Sequence, residues 1–178
     1  MKIAIAGYSG SGKSTLARAL AEKYCCEALH FDRVQFLPGW EERSLEEKQR
    51  ITLEFMDSHD AWVIDGNYTR LCWERRMEEA DLILLMLFGR FDCLYRVTKR
   101  YIKYKGSTRP DMGVGCNEKL DAAFVKWILW EGRSKKQQRN FASLAARYSD
   151  KTIIIKNQRQ LEAFYKEQGL TLPREERA

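Results

Sequence analysis

The sequence predicts an α/β domain in which a parallel sheet carries helices on both faces, and three observations predict it. Short apolar runs alternate with helical patterns along the chain, as in stacked βαβ units. The first apolar run opens directly into Gly7-Tyr8-Ser9-Gly10-Ser11-Gly12-Lys13-Ser14-Thr15, which satisfies G-x-x-x-x-G-K-[ST] and runs straight into a helical pattern. No internal repeat or low-complexity linker divides the 178 residues, a length that suits one domain.

The elements follow in order. Lys2 to Gly7 is the first strand, and a helix from about Lys13 to Tyr24 sets Leu16 and Leu20 on one face. Glu27 to Phe31 is the second strand. After a turn at Pro38-Gly39, Ser44 with Glu47 three residues on forms a capping box that opens a charged helix to about Ser58. Ala61 to Ile64 is the third strand, Asp81 to Phe88 the fourth and Thr152 to Ile155 the fifth. Further helices are expected over Tyr68 to Glu79, Phe91 to Tyr104, Glu118 to Arg147 with a break at Gly132, and Gln158 to Glu167. Lys105 to Asn117 holds three glycines and a proline between a basic helix and an aromatic one, so it reads as a mobile loop or lid.

Composition bounds the function. With 44% hydrophobic and 31% charged residues, the chain can bury a sizeable core. Its longest apolar stretch, Leu82 to Phe88, is far shorter than the roughly 20 residues of a membrane span, so neither insertion nor secretion is expected. Five cysteines, an odd number without C-x-x-C spacing, read as free thiols in a reducing cytoplasm. His30 and His59 are the only imidazoles, which leaves little for a transition metal. The net charge of +6 is concentrated. Seven basic residues face one acid between Arg90 and Arg109, and five face none between Arg133 and Arg147. These segments suit a polyanion, either nucleotide phosphates or a nucleic acid backbone; solvated helix faces explain the lysines better than the arginines.

The glycine-rich motif carries the chemistry. Its glycines let the main chain wrap a phosphate closely, so that successive N–H groups point inward and the helix N-terminus adds a favourable field. Lys13 would neutralise β- and γ-phosphate oxygens, the Ser14 hydroxyl would ligate Mg2+, and Thr15 would back the α- and β-phosphates. Such a magnesium site wants a carboxylate at a neighbouring strand end. Asp65 closes the third strand, and Gly66 behind it permits close backbone approach; helix capping is the other use of an aspartate there. Asp32, closing the second strand, reads either as a general base for an acceptor hydroxyl or outer metal ligand, or as a capping or turn aspartate.

Several blocks resemble one family. Gly7 to Thr15, His30 to Trp40, Trp62 to Tyr68, Cys93 to Tyr104, Thr108 to Cys116 and Phe124 to Trp130 together resemble the bacterial adenylate-kinase-related proteins called DNA topology modulation proteins, or FlaR. The likeness runs from Met1 to about Phe164. It implies a P-loop NTPase fold of the kinase type, a three-layer α/β/α domain with a five-stranded parallel sheet of order 2-3-1-4-5 and a helical, arginine-bearing lid over about 96–133. Lid arginines correspond to Arg96, Arg100, Arg109 and Arg133, whose guanidinium forks suit a transferring phosphoryl group. Asn67-Tyr68 stands where nucleoside monophosphate kinases carry F-P, and the nearest arginine is Arg70. Asn157 follows the last strand, where such kinases contact adenine; capping of the final helix explains it equally.

The expected function is therefore a small-molecule kinase that binds Mg-ATP. It would pass the γ-phosphoryl to a nucleoside, nucleotide or similar acceptor held between Asp32, Arg33, Trp40, Gly66 and Arg70. A hydroxyl acceptor calls for Asp32 as base, and a phosphate acceptor calls for Arg33 and Arg70 as clamps. The alternative is a nucleotide-gated DNA-binding regulator using the two basic segments. A monomer or homodimer is expected. Phe124, Trp127, Ile128 and Trp130 form an aromatic stripe at helical spacing, read as packing against the sheet in preference to stacking a base. His30 reads as an ordinary strand residue.

Overall fold

In the computed structural model, which describes residues 1–108, 111–113 and 115–173, the apolar runs pair as five strands. These are β1 (Lys2–Gly7), β2 (Glu27–His30), β3 (Trp62–Asp65), β4 (Leu82–Met86) and β5 (Thr152–Ile155). All pairs are parallel, in the order β2-β3-β1-β4-β5. β1, β3 and β4 are buried at nearly every position, as central parallel strands covered on both faces are. Alternation along β1 feeds two apolar layers: Ile3 and Ile5 pack with Leu16, Leu20 and Phe164 on one face. Ala4 and Ala6 pack with Phe31, Trp62, Met77 and Phe141 on the other.

The helices are α1 (Lys13–Lys23), α2 (Phe31–Gln35), α3 (Leu45–Ser58), α4 (Trp73–Glu79), α5 (Arg90–Tyr104), α6 (Ala122–Leu129), α7 (Lys135–Arg147) and α8 (Gln158–Glu167). α3 begins as its capping box demands: the Glu47 N–H donates to the Ser44 hydroxyl at 3.1 Å. Three expectations change. The second strand ends at His30, so Asp32 lies in the first turn of a short helix instead of closing a strand. Phe31 is apolar and buried in either conformation, which is why the strand pattern ran on through it. The helix expected over Tyr68 to Glu79 starts at Trp73, because Tyr68 to Leu71 forms a turn and Cys72 takes a left-handed φ of 50°. The helix expected from Glu118 starts only at Ala122, and the expected break divides it into α6 and α7. Asp121 caps α6 by accepting from the Phe124 N–H at 2.8 Å, and Ser134 caps α7 after a short 3-10 turn at Glu131–Arg133. The break falls at Gly132, where a Cβ would lie 2.9 Å from the Trp127 indole nitrogen.

α4 also fixes the loop that follows β3. Arg76 is fully buried, with its guanidinium 4.4 Å over the Phe31 ring and 5.1 Å over the Trp73 ring. It donates to the Tyr68 carbonyl at 3.0 Å and the Gly66 carbonyl at 3.4 Å. Burial pushes its pKa down to about 9 while Asp65 pulls the other way, so it stays protonated at neutral pH. Truncation by Arg76→Ala removes both donors and leaves a cavity under the site. A loss of about 3–5 kcal/mol is expected, measured as a lower denaturant midpoint at unchanged slope.

Candidate active site

The sheet register brings three strand ends together. Asp65 stands opposite Ile5 of β1 and His30 of β2, so the chain leaving β1 meets the Asp65 carboxylate, with Asp32 following β2 in the first turn of α2. At Gly7, φ is 143° and a Cβ would sit 2.2 Å from the Met86 carbonyl oxygen. Only glycine passes there. Gly10 and Gly12 have φ of 80° and 93°, and a Cβ on Gly10 would strike the Cys93 carbonyl at 2.7 Å. The segment thus forms a narrow turn shaped by missing side chains, ending at the first turn of α1 with Lys13, Ser14 and Thr15. Ser11 is fully buried and its hydroxyl has no partner among the described residues.

Asn67 holds this turn from the β3 side. Its amide nitrogen donates to the Gly7 carbonyl at 2.5 Å, and its amide oxygen accepts the Gly7 N–H at 2.8 Å. The side chain continues the β1–β3 ladder by one rung after the strands diverge. Lys13 donates to the Tyr8 carbonyl at 2.9 Å. Burial lowers its pKa, opposed by the negative charges of Asp65 and then Asp32.

The carboxylates each have a fixed partner. His30 and Asp65, both buried, share a 2.9 Å contact between Nδ1 and Oδ1. Tyr68 donates its hydroxyl to Asp32 Oδ1 at 3.0 Å. Burial first, and the Asp32 charge second, hold the Tyr68 phenol far above its usual pKa. It therefore stays a donor.

The arginines are distributed unevenly. Arg96 donates to the Ser11 carbonyl at 3.4 Å, bonds Gln158, and stacks 4.4 Å over Phe88, so it lies on the glycine-rich turn. Arg100 forms an ion pair of 2.6 Å with buried Glu118, and its charge reaches Lys13. Arg133 donates to the Ile128 and Phe88 carbonyls, both at 2.9 Å, and to Cys93 Sγ at 3.1 Å. It also lies 3.9 Å over the Tyr8 ring. Arg109 lies outside the described residues. On the acceptor side, Arg33 gives Nε to the Met112 carbonyl at 3.4 Å, and Arg70 is exposed on the turn before α4. Trp40, with a φ of 69°, packs on Phe36 and donates to the Asn117 carbonyl at 3.2 Å. Asn157 caps α8 by accepting the Gln160 N–H at 3.0 Å, so the capping reading describes its side chain.

Trp127 overturns its expectation. It is 47% exposed and donates to the Ser9 hydroxyl at 3.3 Å, so it stands over the glycine-rich turn instead of packing on the sheet. Trp130 is exposed as well, while Ile128 is buried. Asn67, Arg76 and the His30–Asp65 contact were not found from sequence either. The last needed the β2–β3 register.

The donor set fits Mg2+. Among the described residues no three His, Cys, Asp or Glu side chains cluster to cage a metal. Mg2+ takes only one or two protein oxygens and fills its shell with phosphate and water, which Ser14 and Asp65 can supply. All five cysteines are free thiols, and among the described residues no helix is long and apolar enough to cross a membrane.

No family model matches the chain, and no curated protein matches it. Solved structures do. One is a deoxyadenosine kinase from M. mycoides with dCMP and dCDP bound, at TM-score 0.50 and 12% identity over 95% of this chain and 99% of that one. Another is TT1252 from Thermus thermophilus, at TM-score 0.51 and 15% identity over 94% and 97%. The chain has the P-loop kinase fold. The glycine-rich turn between β1 and α1 is its P-loop.

Asn67→Ala removes both bonds to Gly7, each worth about 0.5–1.5 kcal/mol. The dissociation constant for ATP is expected to rise about tenfold, measured by calorimetry on a variant with an unchanged circular dichroism spectrum.

Proposed function

We propose that the protein is an ATP-dependent phosphotransferase that moves the γ-phosphoryl of ATP to a small acceptor, a nucleoside, nucleotide or similar molecule. One observation carries this reading: Lys13, at the end of a turn shaped by three glycines of positive φ, lies within the electrostatic reach of Asp65 at the end of β3 and of Asp32 in the first turn of α2. Lysine and main-chain N–H groups bind the donor phosphates, and carboxylates stand where a metal and an acceptor meet them. The structural likeness to a deoxyadenosine kinase supports the same class.

In this reading P-loop amides beyond Tyr8 cradle the α- and β-phosphates, while those of Gly7 and Tyr8 hold the loop to Asn67 and Met86. Lys13 bridges the β- and γ-phosphates, holding the leaving group and the transferred group together. Ser14 and Asp65 would hold Mg2+, which neutralises charge on the β- and γ-oxygens. His30 fixes the rotamer of Asp65 through Oδ1. Arg96, on the Ser11 carbonyl, is positioned to meet charge that spreads over the equatorial oxygens.

The single domain would carry its lid over about 96–133. Described parts of that region touch the acceptor side: the Gly39 N–H donates to the Gly115 carbonyl at 3.4 Å, and Cys116 Sγ contacts the Leu37 carbonyl at 3.2 Å. Closing there would keep water from taking the phosphoryl group. The reading as an adenylate-kinase-related protein of the DNA topology modulation group rests on the sequence blocks alone. A nucleotide-gated DNA-binding regulator draws less support, since Arg96, Arg100 and Arg133 are bonded within the fold.

ADP release from Mg-ATP across nucleosides, nucleoside monophosphates and small metabolites tests the reading. Acceptor-dependent turnover is expected, and Lys13→Ala should lower kcat by about 10²–10³-fold. ATP affinity that is the same in Lys13→Ala and the wild type would overturn it.

A further inference from the structure

We propose that the phosphoryl acceptor is a neutral molecule offering a hydroxyl group, a nucleoside or another polyol, with Asp32 as its general base and Tyr68 as the residue that holds Asp32. The inference rests on the kinase reading above and narrows it. Its ground is the chemistry of the wall opposite Lys13.

That wall is anionic. Asp65 ends β3, and Asp32 lies in the first turn of α2, two residues past the His30 that pairs with Asp65 in register. Both carboxylates act on the Lys13 ammonium. A phosphate acceptor carries its own negative charge, and it would have to approach the γ-phosphate past these two groups. Like charges at short range repel, so such an acceptor needs cations close by. A neutral hydroxyl needs none.

Among the described residues, the three arginines beside this wall, Arg76, Arg33 and Arg70, are committed or peripheral. Arg76, nearest in the fold to the Asp65-Gly66 step, is buried beneath it with its guanidinium on the Gly66 and Tyr68 carbonyls and the Phe31 ring. The two residues after Gly66 are uncharged. Asn67 gives both ends of its amide to Gly7, and Tyr68 gives its hydroxyl to Asp32. Arg33 bonds the Met112 carbonyl of the covering loop, and Arg70 stands on the exposed turn.

Tyr68 orients the Asp32 carboxylate: its hydroxyl donates to Oδ1 at 3.0 Å and fixes the direction in which the group points. The Tyr68 ring is itself fixed by an edge-on contact with Phe31, 5.7 Å between centroids. Phe31 in turn lies against Arg76, so the buried arginine serves as the foundation of the base. In the transfer, the acceptor oxygen forms a bond to the γ-phosphorus as its proton passes to Asp32. The bond from the γ-phosphorus to the β–γ bridging oxygen breaks, and ADP leaves with that electron pair.

The test pairs acceptors that differ only in charge. ADP release is followed with common ribo- and deoxyribonucleosides and sugars, each beside its own monophosphate. A neutral acceptor is expected to stimulate turnover and its monophosphate is not. Asp32→Asn is expected to lower kcat by about 10²–10⁴-fold with ATP affinity unchanged. Tyr68→Phe keeps the ring packing. It is expected to lower kcat about tenfold at constant KM for ATP, a split that general loosening of the site would not give. Turnover driven by a monophosphate over its parent alcohol overturns the proposal. So does wild-type kcat in Asp32→Asn, or a failure of every neutral acceptor while ATP binding still depends on Lys13. In each of those cases the kinase reading stands or falls separately, on the Lys13→Ala comparison.

Discussion

The active-site geometry depends on how β1 ends. At Gly7 the main chain passes so near β4 that a Cβ would lie 2.2 Å from the Met86 carbonyl oxygen. That same oxygen accepts the Tyr8 N–H at 3.1 Å, and Asn67 holds Gly7 from the opposite strand. The P-loop is therefore pinned between β3 and β4 before it turns, and the pinning works only because no side chain intervenes. Every later position follows from it, because Lys13 hangs from the helix that the turn launches. Its distance from Asp65 is set by the β1–β3 register, which places Ile5 opposite Asp65. A shift of that register by one residue would turn Asp65 to the other face of the sheet.

Much of this was legible because its causes are local. The β1 run, the glycine spacing, the Ser44–Glu47 capping box and the break at Gly132 each depend on a few adjacent residues, and each stands where the sequence put it. What was missed depends on residues far apart in the chain. His30 and Asp65 meet only through strand pairing. Nothing in the sequence neighbours of Arg76 says that Phe31 will lie beneath its guanidinium. Trp127 shows the limit of periodicity. Helical spacing puts it near Ile128 and Phe124, but a one-residue step is about 100° around a helix, enough to carry Ile128 into the core and leave Trp127 over Ser9. The run through Phe31 failed for a related reason, since a buried aromatic satisfies a strand and a short helix alike.

The attachments of the segment over about 96–133 divide by strength. Arg133 holds its carboxyl-terminal end with three side-chain bonds, to α6, to the end of β4 and to α5, and with its stack on Tyr8. Arg100 and Glu118 brace it internally; Glu118 is buried, and separating a buried pair costs several kcal/mol. The far side is tied to the segment from Arg33 to Trp40 by the Arg33 bond to the Met112 carbonyl and by contacts of 3.2–3.4 Å between neutral groups: Gly39 to Gly115, Cys116 to Leu37 and Trp40 to Asn117. Neutral bonds of that kind contribute about 0.5–1.5 kcal/mol each and exchange readily with water. A lid of the kind proposed above would therefore part along the Arg33 to Trp40 side and keep its Arg133 anchor. Arg100 would travel with Glu118 instead of leaving it, because a phosphate that drew the guanidinium away would strand a buried carboxylate. The Arg133 anchor touches the P-loop itself through the Tyr8 ring, so in the proposed reading the end of the lid that stays attached would also be the end that registers the phosphate-binding loop.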